Sequence, residues 1–242
     1  MSLRFVSAEE RPDLAAQRGP LLAGWPEFMF HDPVAGECWD LLYERFPAFQ
    51  HFLLDDETGE PVADLSSLPV RVDLDALPDR GWDAVMERGT PGIEKPNAVS
   101  AISVEVLPSR LGEGLSRLCL ERMRENAAAH GFRDLVAPVR PNWKPRYPLV
   151  DIDRYAGWQT DEGLPLDPWL RTHIRLGGTI VKPCRRSMTI PGAVGDWESW
   201  TGMSFPESGD YVVPGALTLV AIDREADLGL YVEPNVWLHH RL

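Results

Sequence analysis

The residues best suited to chemistry lie in one run, Val104-Glu105-Val106-Leu107-Pro108-Ser109-Arg110-Leu111-Gly112-Glu113-Gly114-Leu115-Ser116. Glu105 brings a carboxylate that can move a proton, and Arg110 to Ser116 combines a guanidinium with two glycines at a helix start. Glycine lets the backbone come close to a ligand, and the first turn of a helix presents unpaired N–H groups at the positive end of its peptide dipoles. The combination reads as a pocket for a pyrophosphate.

Two elements must hold that run in place. Val99, Ile102, Val104, Val106 and Leu107 give Ala98 to Leu107 a strand pattern, which Pro108 ends. From Leu115 the period becomes helical: Leu115, Leu118, Cys119, Arg122, Met123, Asn126 and Ala127 share one mainly apolar face, with Arg117, Glu121, Arg124 and Glu125 opposite. His130-Gly131 stops the helix, and Asp134 to Val139 reads as the next strand.

The loop is not a Walker loop, because Gly114-Leu115-Ser116 has no lysine at the helix start. A dinucleotide fingerprint would need a third small residue where Arg117 stands and should follow the first strand of a βαβ unit, although Asp134 lies at a suitable distance. A plain β-turn-α connection, with glycines serving only tightness, is the simplest alternative. The run resembles the coenzyme A loop of the GNAT superfamily of acyl-CoA-dependent N-acyltransferases, whose signature is Arg/Gln-x-x-Gly-x-Gly/Ala after a central strand. Two registers are open: Gly114 and Ser116 as the small residues put Leu111 at the basic position with Arg110 one residue early, whereas Gly112 and Gly114 put Ser109 there. Glu113 would sit beside the diphosphate and must turn to solvent.

The resemblance implies an α+β fold with a mixed, mostly antiparallel central sheet flanked by helices. Residues 1–190 would form the acyl-CoA-binding domain and residues 191–242 a C-terminal extension packed on it. It implies acetyl-CoA or another acyl-CoA as cofactor, contacted by Val106, Leu107, Arg110, Leu111, Gly112, Gly114, Leu115, Ser116 and Asn142. Strands Ile102 to Leu107 and Leu135 to Val139 would splay to admit the pantetheine arm, with the Val106 and Leu107 N–H groups as donors to the thioester. Tyr147 or Tyr155 would protonate the departing thiolate, and Tyr155 sits better, on a helix from Val150 to Trp158. Glu105 is the carboxylate nearest the reacting centre and a candidate general base; its plainer reading is a solvent-facing strand residue. The expected function is acyl transfer, acetyl included, from coenzyme A to an amine of a small molecule. A non-catalytic acyl-CoA-binding or sensory module and a GNAT-fold thioesterase or decarboxylase are the alternatives.

Composition limits the rest. A 242-residue chain with 44% hydrophobic residues can bury a sizeable core. Its formal net charge of −13, with no basic stripe, opposes a nucleic-acid partner. No apolar run approaches the roughly 20 residues needed to span a bilayer, and Met1-Ser2-Leu3-Arg4-Phe5 opens no signal peptide, so a cytoplasmic protein without membrane contact is expected. Cys38, Cys119 and Cys184 are too scattered for a disulfide framework or a metal site and are expected to be reduced; no metal is assigned.

Elsewhere, Leu3 to Val6 reads as a strand, Gly36 to Phe46 as a helix, and Phe49 to Leu54 with Pro61 to Asp73 as a hairpin. Asp167-Pro168 caps a helix ending at Leu176-Gly177, Gly178 to Ile190 is a strand, and Tyr211 to Ile222 and Leu228 to Trp237 are strand segments. His173 and Arg171 are further pocket candidates, Trp197 and Trp200 are read as packing residues, and His239-His240 as a surface pair.

Overall fold

The structure, a computed structural model, describes residues 2–242. In chain order the elements are β1 (Leu3–Ser7), α1 (Gly19–Leu22), α2 (Pro33–Arg45), β2 (Gln50–Asp55), β3 (Pro61–Val70), α3 (Gly81–Gly89), β4 (Ala98–Val106), α4 (Leu115–Ala129), β5 (Asp134–Val139), α5 (Ile152–Ala156), α6 (Pro168–Arg175), β6 (Thr179–Gly192), α7 (Val194–Thr201), β7 (Gly209–Tyr211), β8 (Val220–Asp223) and β9 (Leu228–Arg241). The strands form one sheet in the order β1-β2-β3-β4-β5-β9-β8-β7, with β6 along the other edge of β9. Every pairing is antiparallel except β4 with β5.

Helices cover both faces of this sheet. Ala98 and Val99, neighbours on β4, point to opposite faces, and each joins a different core. On one face Leu42, Trp82, Met86 and Trp197, from α2, α3 and α7, pack with Val136 and Trp237; on the other, Leu115, Cys119, Leu120 and Met123 of α4 pack on Val99 and Leu135. Among the described residues no helix is long and apolar enough to cross a membrane.

β9 falls in the segment expected as an extension, yet it runs between β5 and β6, and residue 190 lies inside β6. Helix α2 starts three residues before the expected Gly36, because the Asp32 carboxylate accepts from Ala35 N–H at 2.8 Å and Pro33 occupies the first turn. The expected strand Tyr211 to Ile222 is instead the two short strands β7 and β8, interrupted by a turn in which Gly215 has φ +86°. The helix bearing Tyr155 is shorter than the expected Val150 to Trp158. Leu118, placed on the apolar face of α4 by spacing, is exposed, and Leu120 is buried in its stead.

Candidate active site

β4 and β5 pair only at Val99 with Leu135 and Ser100 with Val136, then diverge. The gap opens into a cavity of about 1000 Å³ that reaches both faces of the sheet. Leu115, Met123 and Trp169 line it on the α4 side, and Trp25, Trp39 and Glu105 line it on the other. Hydrogen-bonding direction alternates along an antiparallel pair. The Leu107 N–H donates to the Val62 carbonyl at 2.9 Å, so Ala63 and Val106 form a non-hydrogen-bonded pair and the Val104 and Val106 peptide groups turn into the gap.

The loop after β4 is built to expose backbone. Gly112 and Gly114 have φ of +88° and +79°, left-handed values that residues with a Cβ adopt at a cost. Gly114 is the N-cap of α4, and the first helical bonds run from Arg117 and Leu118 to its carbonyl. The N–H groups of Leu115 and Ser116 therefore precede the ladder at the cavity wall that both residues line. Arg110 pairs with Glu113 at 2.7 Å and reaches Asp55 at 3.4 Å, so Glu113 is turned onto a guanidinium. Such a cradle of amides and a guanidinium fits a diphosphate.

Among the residues singled out from sequence, Glu105, Val106, Arg110, Leu111, Gly112, Gly114, Leu115, Ser116, Asn142 and His173 line this one cavity. Leu107 does not: its amide is taken by Val62. Tyr155 is also off the lining, fully buried under β9, with its hydroxyl donating to Asp167 Oδ2 at 2.9 Å and burial pushing its pKa far up. Arg171 is committed to the carbonyls of Pro165 and Leu166. His240, read as a surface residue, is fully buried, and its Nε2 lies 2.9 Å from His173 Nδ1. The three cysteines are free, and all three are buried.

Glu105 is not solvent-facing; it is 6% exposed. It stands directly across from Asp64 of β3, so both carboxylates share one face of the sheet. Arg18 forms a buried ion pair with Asp64, and the Trp25 indole N–H donates to Glu105. Burial, then the charge of Asp64, pushes the Glu105 carboxyl up to about 7. Burial also raises Asp64, against the pull of Arg18.

Arg140 stacks over the Trp25 ring at 5.2 Å and pairs with Glu233 at 2.9 Å. These partners of Glu105 are residues the sequence reading missed. The available signal was charge in strands otherwise apolar: Asp64 sits between Ala63 and Leu65, and Glu233 and Asn235 alternate along β9 among Tyr231, Val232 and Val236.

Parallel strands that splay beside an amide-lined loop define the GNAT fold, and the solved structures agree. The loading GNATL domain of CurA from Lyngbya majuscula superposes with a TM-score of 0.64 at 20% identity, covering 99% of this chain and 96% of that one. The GphF GNAT-like decarboxylase in complex with isobutyryl-CoA gives 0.61 at 16% identity, covering 100% and 99%. No protein-family model matches the chain. The arginine N-acetyltransferase avaD of Aspergillus versicolor is 32% identical over 267 residues, covering 97% of this chain and 92% of that one. The chain belongs to the GNAT superfamily, and its likeness to an N-acetyltransferase makes it an acyl-CoA-dependent N-acyltransferase.

Proposed function

We propose that the protein acetylates an amine of a small, arginine-like acceptor with acetyl-CoA, using Glu105 as the general base. The observation that carries this reading is a buried carboxyl, poised at about 7, on the wall of the gap into which Val106 turns its amide. The name of the avaD relative supports arginine as the acceptor.

Acetyl-CoA supplies the activated acyl group as a thioester. The amides of Leu115 and Ser116, with Arg110, hold the diphosphate end, and Gly112 and Gly114 keep the approach to it clear. Val106 N–H donates to the thioester carbonyl and stabilises charge as it develops on that oxygen. Glu105, as carboxylate, takes a proton from the acceptor's ammonium, since only the neutral amine is a nucleophile. The N–C bond then forms and the C–S bond breaks. Of the two protons the ammonium gives up, one leaves through Glu105 to solvent and the other ends on the departing thiolate. A carboxyl near 7 is matched to this task, being half ionised at neutral pH.

The test is steady-state release of coenzyme A thiol from acetyl-CoA, with and without arginine, with the acetylated product identified by mass. Arginine-dependent release is expected. Release without any acceptor identifies a thioesterase, and tight binding of acetyl-CoA without turnover across an amine panel identifies a binding module.

A further inference from the structure

Among the lining residues with unpartnered buried polar atoms, two neighbours on β9 present acceptors to the cavity. Glu233 and Asn235 are two residues apart on β9, so they point to the same face, and both stand on the cavity wall with at most 1% of their surface exposed. Arg140 Nε and the Tyr231 hydroxyl both donate to Glu233 Oε2 at 2.9 Å, which leaves Oε1 without a partner. Asn235 Nδ2 donates to the Pro138 carbonyl at 3.2 Å and to Ser187 Oγ at 2.8 Å. A carbonyl can only accept, so the amide orientation is fixed and Oδ1 is the second acceptor left unpaired. Buried acceptors are rarely left so, because each forfeits its interaction with water.

Asn235 lies beside the open end of β5, through its bond to Pro138, and Glu105 stands at the open end of β4, so the two flank the gap from opposite strands. Trp25 ties them together, donating to Glu105 and lying under the Arg140 guanidinium that holds Glu233. A ligand seated there must bring N–H donors to one end and an amine to the other. The geometry points to Glu233 Oε1 and Asn235 Oδ1 as the subsite for the acceptor's terminal guanidinium, which leaves the α-amino group of the acceptor, on the Glu105 side, as the nitrogen that is acetylated. This rests on the arginine-like acceptor proposed above and adds which residues select it and which nitrogen reacts.

The test compares arginine with norleucine, whose side chain follows arginine's as far as Nε and carries no donors, as acceptors for the intact protein. Wild-type kcat/KM is expected to favour arginine at least 100-fold, because a site built around polar partners rejects an analogue that leaves them unpaired. Tandem mass spectrometry is expected to place the acetyl group on Nα. Glu233→Gln sharpens the comparison. Arg140 and Tyr231 require an acceptor where Oε2 stands, so the glutamine presents its NH₂ where Oε1 was, donor facing donor. The arginine-to-norleucine ratio is then expected to fall at least tenfold, mainly through a higher KM for arginine, a change that general loss of packing would not confine to one acceptor. A wild-type ratio below about threefold, or acetylation on the guanidinium, overturns the subsite even if the variant fails to fold. An unchanged ratio in a folded Glu233→Gln protein overturns it too. Absence of product from both amino acids refutes the acceptor reading itself, a different outcome from equal use of the two.

Discussion

Glu105→Gln should make the protein more stable and nearly inactive, and the two effects should share a pH dependence. The side chain is 6% exposed, so replacing the carboxyl by an amide keeps its shape and its acceptance of the Trp25 indole N–H while removing a charge from a buried position. In the folded protein the carboxyl holds its proton up to about 7, against a reference of 4.5. Below 4.5 both states are protonated and the group contributes nothing. Between 4.5 and about 7 the folded state binds the proton that the unfolded chain has released, so stability falls as pH rises. Above 7 the loss is complete, about 3 kcal/mol at 1.36 kcal/mol per pH unit. Thermal melts from pH 4.5 to 9 should therefore show the variant level with wild type at the acid end and ahead at pH 8, by up to about 6–12 °C for a chain of this size. At pH 8 its kcat should be lower by about 10²–10⁴, the usual worth of a positioned general base. A stability difference that does not change with pH, or activity within threefold of wild type, would refute the assignment.

The same carboxyl sets the pH profile of the wild-type protein: kcat/KM should rise about tenfold per unit at low pH and level off above about 7, since the deprotonated form is the active one. Tyr155→Phe should cost about 1.5–3 kcal/mol of stability by removing the hydroxyl from buried Asp167, measured by denaturant titration, and should leave kcat within threefold; a hundredfold loss would restore the tyrosine as the acid. Gly114→Ala meets no neighbour within 4 Å, so its cost is the left-handed backbone alone, about 1–2 kcal/mol, and calorimetry should show coenzyme A binding weakened about tenfold as the loop shifts; undiminished binding would take the loop out of the site. Native protein should not react with Ellman's reagent until unfolded, because all three cysteines are buried and burial pushes the Cys184 thiol up to about 11.

The sequence by itself determined the elements whose signals are local. Helix α4 runs from Leu115 to Ala129 and β5 from Asp134 to Val139 as read, because a change of period, a glycine cap and a His-Gly stop all act within a few residues of one another. The loop proposed to hold the diphosphate was visible for the same reason, being one continuous stretch of chain. Where a local signal was passed over, the boundary moved: Asp32-Pro33 starts α2 just as Asp167-Pro168 starts α6.

Only the tertiary structure brought together the residues of the proposed acceptor half. Arg18, Asp64, Glu105, Arg140, Glu233 and Asn235 converge from distant parts of the chain, and no spacing in sequence brings them together. Their chemistry also depends on being buried. Glu105 reads as an ordinary strand carboxylate until β3 sets Asp64 opposite and Trp25 covers it, and His240 reads as surface until α6 lays His173 against it. Residue type and period fix which way a side chain leaves its own strand, but desolvation and the charge of neighbours, which set what that side chain can do, come only from the other strands and helices that close over it.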